Sequence, residues 1–138
     1  MIHQQLLSIK TAGRNTINLT TDINDIITES GIQHGLCNCF IKHTSASLII
    51  TENADPDVRY DLEYFLNQLV KDGDPNYLHQ DEGPDDMSAH IRTVLTQTSI
   101  TIPVTNGKHA MGIWQGLFLW EHRSQPYKRK VVVTISGE

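Results

Sequence analysis

The run that most constrains this chain is Ile113 to Glu121, I-W-Q-G-L-F-L-W-E, which is nearly all apolar and carries Trp114, Phe118 and Trp120. A strand with one wet face alternates apolar and polar residues, whereas a strand without alternation is buried on both faces. The chain has 138 residues, which suits one domain with a real core. In so small a domain the second face of such a strand is expected to lie against another subunit.

The segments around that run have the periods of short strands and helices. Residues 3–10 and 14–20 read as strands joined at Ala12-Gly13, with Leu7, Ile9, Ile17 and Leu19 in alternating positions. A short helix follows, capped by Thr21 or Asp22, with Ile23, Ile26 and Ile27 as its buried stripe and Gly31 as its stop. Leu36 to His43 is a strand with Cys37, Cys39, Ile41 and His43 on one face, and Leu48 to Thr51 is another. Asp55 and Pro56 open the longest helix, whose core face is expected at Val58, Leu62, Phe65, Leu66 and Leu69. Ile100, Ile102 and Val104 alternate, Asn106-Gly107 is a hairpin turn, and Val131 to Ile135 closes the chain. The order of strands and helices predicts a single α+β domain over residues 1–138, with helices against a mainly antiparallel sheet.

Chemistry concentrates in His79 to Arg92, H-Q-D-E-G-P-D-D-M-S-A-H-I-R. Asp85 or Asp86 can cap a helix there, because a short carboxylate accepts the orphan amides of a first turn. Met87, Ile91, Val94 and Leu95 then make one apolar face, with His90 at its edge and Asp86 one turn before it. His79 lies in the long loop from Asp72 to Asp85, and His43 ends an inward strand face. Three imidazoles with carboxylates nearby suit a first-row metal, so His43, His79 and His90 are the expected ligands, zinc the expected ion. Glu52, Asp85 and Asp86 are then candidates for a general base or for orienting the ligands.

Charge narrows the partners. A net charge of −5 argues against broad nucleic-acid affinity, and no apolar run approaches the roughly 20 residues of a membrane helix. The first ten residues lack a basic, long-apolar leader, so a cytoplasmic location is expected. Lys128-Arg129-Lys130 with Arg123 is the one dense basic set. It is either a solvated strand entrance or, together with Thr44, Ser45 and Ser47, the contact for a small anionic or phosphorylated metabolite. Cys37 and Cys39, two apart on a strand, sit roughly 7 Å apart, which disfavours a disulfide between them. They read as buried thiols, with zinc binding the lesser alternative.

Four ordered motifs, H-T-S-A-S at 43–47, E-N-A-D-P-D-V-R at 52–59, E-G-P-D-D-M-x-A-H at 82–90 and G-x-W-Q-G at 112–116, resemble the YjbQ family, described as secondary thiamine-phosphate synthases. The resemblance implies an antiparallel β-sandwich with about three helices, commonly a homotrimer, and a pocket holding the histidines matched by His43, His79 and His90. Its motifs add Asn53, Trp114 and Gln115 to the ligand-binding candidates. Ile113 replaces the family's usual Thr, and His109 stands where an aliphatic residue is expected. The expected activity is a thiamine-phosphate-synthase-like coupling. A chain of this length cannot form the (β/α)₈ barrel that the usual enzyme resembles, which needs roughly 200 residues or more. The alternatives are a zinc-dependent hydrolase of a small phosphorylated metabolite, a non-catalytic binding module, and a histidine cluster without metal.

Overall fold

A computed structural model describes all 138 residues. In chain order the elements are β1 Ile2–Lys10, β2 Asn15–Asn18, α1 Thr20–Ser30, β3 His34–Ile41, β4 Ala46–Glu52, α2 Pro56–Leu69 and α3 Asp86–Leu95, followed by β5 Ser99–Thr105, β6 Lys108–His109, β7 Gln115–Glu121 and β8 Lys128–Gly137. Two antiparallel sheets result, one of five strands in the order β1-β8-β3-β5-β6 and one of three in the order β2-β7-β4. The α+β sandwich expected from the sequence is the fold. No helix is long and apolar enough to cross a membrane.

The core lies between the sheets. Cys37, Cys39 and Ile41 of β3, Val131, Val133 and Ile135 of β8 and Ile100, Ile102 and Val104 of β5 face Ala46 and Leu48 of β4 and Leu117 and Leu119 of β7. Ile23, Ile26 and Ile27 of α1 join the same cluster. Both cysteines are buried and free. Leu19, not Thr21 or Asp22, is the N-cap of α1, and the Asn18 side chain accepts the Thr20 amide. Gly31 ends that helix at φ 71°, a left-handed conformation that favours glycine. Asn106 and Gly107 both have positive φ, as the hairpin reading requires.

The strand at 115–121 is buried on both faces, but by its own chain. Leu117 and Leu119 enter the sandwich, while Phe118 and Trp120 point the other way, under α2. There the Arg59 guanidinium lies 4.5 Å from the Phe118 ring centre, and Trp120 Nε1–H donates to Glu63 Oε1 at 3.3 Å. Ile113 and Trp114 precede the strand and are exposed.

α2 and α3 are both rotated from the expected orientation. On α2 only Leu66 is buried, with Phe65 and Leu69 exposed. On α3 the buried residues are Asp86, Ser88, Ala89, Arg92 and Thr93, with Val94 and Leu95 exposed. The reason is Arg92, which is wholly buried and donates to Glu63 at 2.6 Å and Asn67 at 2.7 Å, both on α2. A guanidinium buried between two helices must keep its partners, and that requirement outweighs the apolar stripe.

Candidate functional site

The first turn of α3 builds the site. Asp85 stands at the N-cap, yet its side chain makes no cap bond. It accepts instead from the Ser124 amide at 2.8 Å, the Ser124 hydroxyl at 3.0 Å and Arg123 Nε at 3.2 Å. Burial acts to raise the Asp85 pKa, but these donors outweigh it and hold the carboxyl at about 2. Asp85 is therefore a fixed anion that positions Arg123, not a proton acceptor at neutral pH.

Asp86 is the centre of the cluster. Its Oδ1 accepts from Arg123 NH1 at 2.7 Å. Its Oδ2 lies 2.7 Å from His79 Nε2 and 3.0 Å from His90 Nε2. Burial works against the charged carboxylate, but the His79 contact, His90 and Arg123 win, and the pKa is lowered. One ligand atom from each of His79, Asp86 and His90 lies within 4.8 Å of the others. His90 Nδ1–H donates to the Thr44 carbonyl at 2.9 Å, the bond that leaves Nε2 as the free ring nitrogen.

His43 is not in that set, which corrects the three-histidine expectation. The strand stops at Ile41, and the His43 ring turns back so that Nε2 accepts the Lys130 amide at 2.8 Å. That lone pair is thereby used. Burial and then the Arg129 charge lower its pKa, with Lys130 and Lys42 adding to the effect and Glu121 opposing it. His43 does share a cavity of about 570 Å³ with Thr44, His90, Thr93, Thr96 and Thr98. His79 lines a separate cavity of about 510 Å³ with Tyr77 and Met87.

Several expected ligand contacts turn inward instead. Ser47 is wholly buried, its hydroxyl 2.8 Å from His122 Nε2. Arg129 is 4% exposed and bonds Glu121 Oε1 at 2.7 Å and Ser45 Oγ at 3.0 Å. The Glu121 carboxylate also accepts from Thr11. Neither serine nor Arg129 is open to a metabolite, because a buried guanidinium and carboxylate satisfy each other first. Arg123 is likewise committed to Asp85 and Asp86, while Lys128 and Lys130 face solvent.

Glu52, Asn53, Trp114 and Gln115 form a separate knot. Glu52 accepts from the amides of Ala54 and Asp55, so it shapes the turn into α2. The Asn53 side chain donates to the carbonyls of Ile113 and Gln115, and Gln115 accepts the Gly112 amide. Ala46 pairs with Glu121 at one end of β4 and Glu52 with Gln115 at the other. Six residues of strand separate the two ends by about 20 Å. Within one chain Glu52 is thus no general base for the histidine cluster. His109 has a local role, its Nδ1 accepting the Met111 amide at 3.3 Å.

Sequence reasoning missed His122. It is wholly buried beside Ser47, its Nδ1 has no partner, and burial, then Arg92, Arg14 and Arg129, push its pKa down to about 3. The available signal was its place directly after a strand buried on both faces, where a polar residue must be internally partnered.

An antiparallel two-sheet sandwich with an Asp-His-His cluster at a helix start is thus a small α+β protein with a compact polar site. The chain belongs to the YjbQ family: the family described as UPF0047 protein YjbQ-like matches residues 5–138. It is 52% identical over 136 residues to UPF0047 protein sll1880 of Synechocystis sp., covering 99% of this chain and 92% of the relative. It is 39% identical to UPF0047 protein YjbQ of Escherichia coli O157:H7, over the whole of both chains. A crystal structure of an uncharacterised conserved YjbQ/UPF0047 protein from Clostridium acetobutylicum superposes with a TM-score of 0.88 at 35% identity, covering 96% of this chain and 99% of that one.

Proposed function

We propose that this chain is a small metal-dependent enzyme acting on a small anionic, phosphorylated metabolite, with His79, Asp86 and His90 holding a divalent first-row metal. One observation carries the reading. His90 Nδ1–H is given to the Thr44 carbonyl, so in a neutral ring Nε2 is a lone pair, and it faces an ionised carboxylate oxygen at 3.0 Å. Two acceptors at that distance need a cation or a proton between them. Metal-bound histidines commonly donate their other N–H to a backbone carbonyl in this way. Bonds of about 2.0–2.1 Å to a tetrahedral ion set donors about 3.3 Å apart, so the two Asp86 contacts of 2.7 and 3.0 Å would have to open by roughly 0.6 and 0.3 Å.

The surrounding residues suit the task. Arg123 fixes the far oxygen of Asp86, which sets the direction of the near one. The cavity beside His90 offers Thr44 and Thr98 hydroxyls to a phosphoryl group, while the Thr96 hydroxyl is spent on the Arg92 carbonyl. His43 is held neutral there, with Nδ1–H as its remaining donor once Nε2 has accepted the Lys130 amide. The bound metal would supply Lewis acidity, which favours hydrolysis or hydration near neutral pH. The synthase-like coupling implied by family resemblance is the second reading, favoured by the one carboxylate in the donor set, which brings the site nearer to harder ions. A non-catalytic module would instead close its coordination sphere with protein ligands.

The same proposal includes a cytoplasmic homotrimer. Exposed Phe65, Leu69, Val94, Leu95, Ile113 and Trp114 support assembly, and light scattering tests it. The metal test is elemental analysis of protein purified without added metal, for wild type and the His43→Ala, His79→Ala and His90→Ala variants. Stoichiometric metal in wild type and His43→Ala, lost from the other two, is expected. Full occupancy in His90→Ala would sink the proposal.

A further inference from the structure

We infer that the cleft between β2 and α2 is a second binding site, for a small anion (a carboxylate or a phosphoryl group) carried on a flat ring. The cleft has a volume of about 490 Å³ and shares no residue with the two histidine-lined cavities. Its floor is aromatic. Asn18 pairs with Phe118 and Thr16 with Trp120 across β2 and β7, so these four side chains share one face, where α2 buries Phe118 and Trp120 and leaves Asn18 exposed. Tyr60 of α2, largely exposed, forms one wall.

Charge selects the ligand. The chain has five arginines, and Arg14, Arg92, Arg123 and Arg129 each pair with a carboxylate. Arg59 alone does not. Its NH1 donates to the Glu52 carbonyl at 3.1 Å, and one face of its guanidinium lies over Phe118. That leaves Nε and NH2 without a hydrogen-bond partner. The other charges of the cleft are already balanced: Arg14 holds Asp72 with two bonds, and Glu63 accepts from Arg92 and from Trp120 Nε1–H. A guanidinium presents paired in-plane donors that match a carboxylate or phosphate, and the exposed Tyr60 ring beside it offers a face to a flat ring. An anion on such a ring would supply both contacts, whereas a cation would meet the unbalanced positive charge. The inference stands apart from the metal proposal, since no residue of the histidine cluster lines this cleft.

Trp120 is its reporter. In a Trp114→Phe protein it is the remaining tryptophan, and it lies in the cleft. The probes are benzoate, phenyl phosphate and neutral benzamide, titrated at millimolar concentration. The expected result is a saturable fluorescence change with one or both anions, weaker with benzamide. Arg59→Gln should weaken it at least about tenfold, the loss of one charge-assisted pair. His90→Ala should leave it unchanged. Arg59 also packs on Phe118, so Arg59→Lys and Tyr60→Ala provide a second route if circular dichroism shows Arg59→Gln misfolded. Each should weaken the anion by several-fold. No saturation with either anion, benzamide binding as tightly as benzoate, or anion affinity unchanged in the folded Arg59 and Tyr60 variants would overturn the inference.

Discussion

His122 should make this protein lose stability in mild acid. The ring is wholly buried, Nε2 meets Ser47 at 2.8 Å and Nδ1 has no partner. Charging it would place an imidazolium among Arg92 of α3, Arg14 before β2 and Arg129 of β8. Its folded pKa is about 3, against roughly 6.5 for an unperturbed histidine. Between those values the unfolded chain binds the extra proton and the folded chain does not. The contribution of His122 is therefore complete above about pH 6.5 and is lost as pH drops towards 3, by at most about 1.4 kcal/mol per unit. From pH 6.5 to 5 the loss is about 2 kcal/mol, which is roughly 7 °C of melting temperature for a chain of this size. Carboxylates do not confound that window: lowered Asp85 and Asp86 withdraw their support only below about pH 4. The assay is urea unfolding at several pH values from 7.5 to 5 for wild type and His122→Gln, whose amide can still reach Ser47. The variant should cost about 1 kcal/mol at pH 7.5 and flatten the acid slope. The same slope in both proteins would refute the reasoning.

Three further outcomes follow from the buried charges and the cluster. Arg92→Met should cost about 3 kcal/mol, read as a lower urea midpoint, because Glu63 and Asn67 lose their shared partner between α2 and α3. Asp85→Asn should cost about 2 kcal/mol at pH 7 and remove the part of the acid transition between about pH 4 and 2, measured by thermal melts. Asp86→Asn should lose metal as completely as His90→Ala, since its Oδ2 belongs to the donor set; the readout is metal content after dialysis. Metal affinity in wild type should fall in acid, because imidazole and carboxylate ligands must give up their protons to bind.

The sequence by itself determined what depends on neighbours a few residues apart. The alternation of Ile100, Ile102 and Val104 placed a strand face correctly, as did Cys37, Cys39 and Ile41. Ile23, Ile26 and Ile27 fixed the buried stripe of α1, and Asn106-Gly107 fixed a turn. His79, Asp86 and His90 were legible as neighbours because two of them lie one helical turn apart and the third lies in the preceding loop, although Asp86 reads from the sequence as a base or orienting group and not as a member of the donor set. Only the tertiary structure decided which face of α2 and α3 is buried, because Arg92 needs acceptors 25 and 29 residues away. Only it removed His43 from the donor set, since the Lys130 amide that takes its Nε2 is 87 residues distant. It also turned Arg129, Ser45 and Ser47 from candidate ligand contacts into partners of Glu121 and His122. Periodicity reports whether a side chain is apolar, but it carries no information about which distant charge will compensate a buried one. In this fold that compensation sets the helix orientation and the membership of the site.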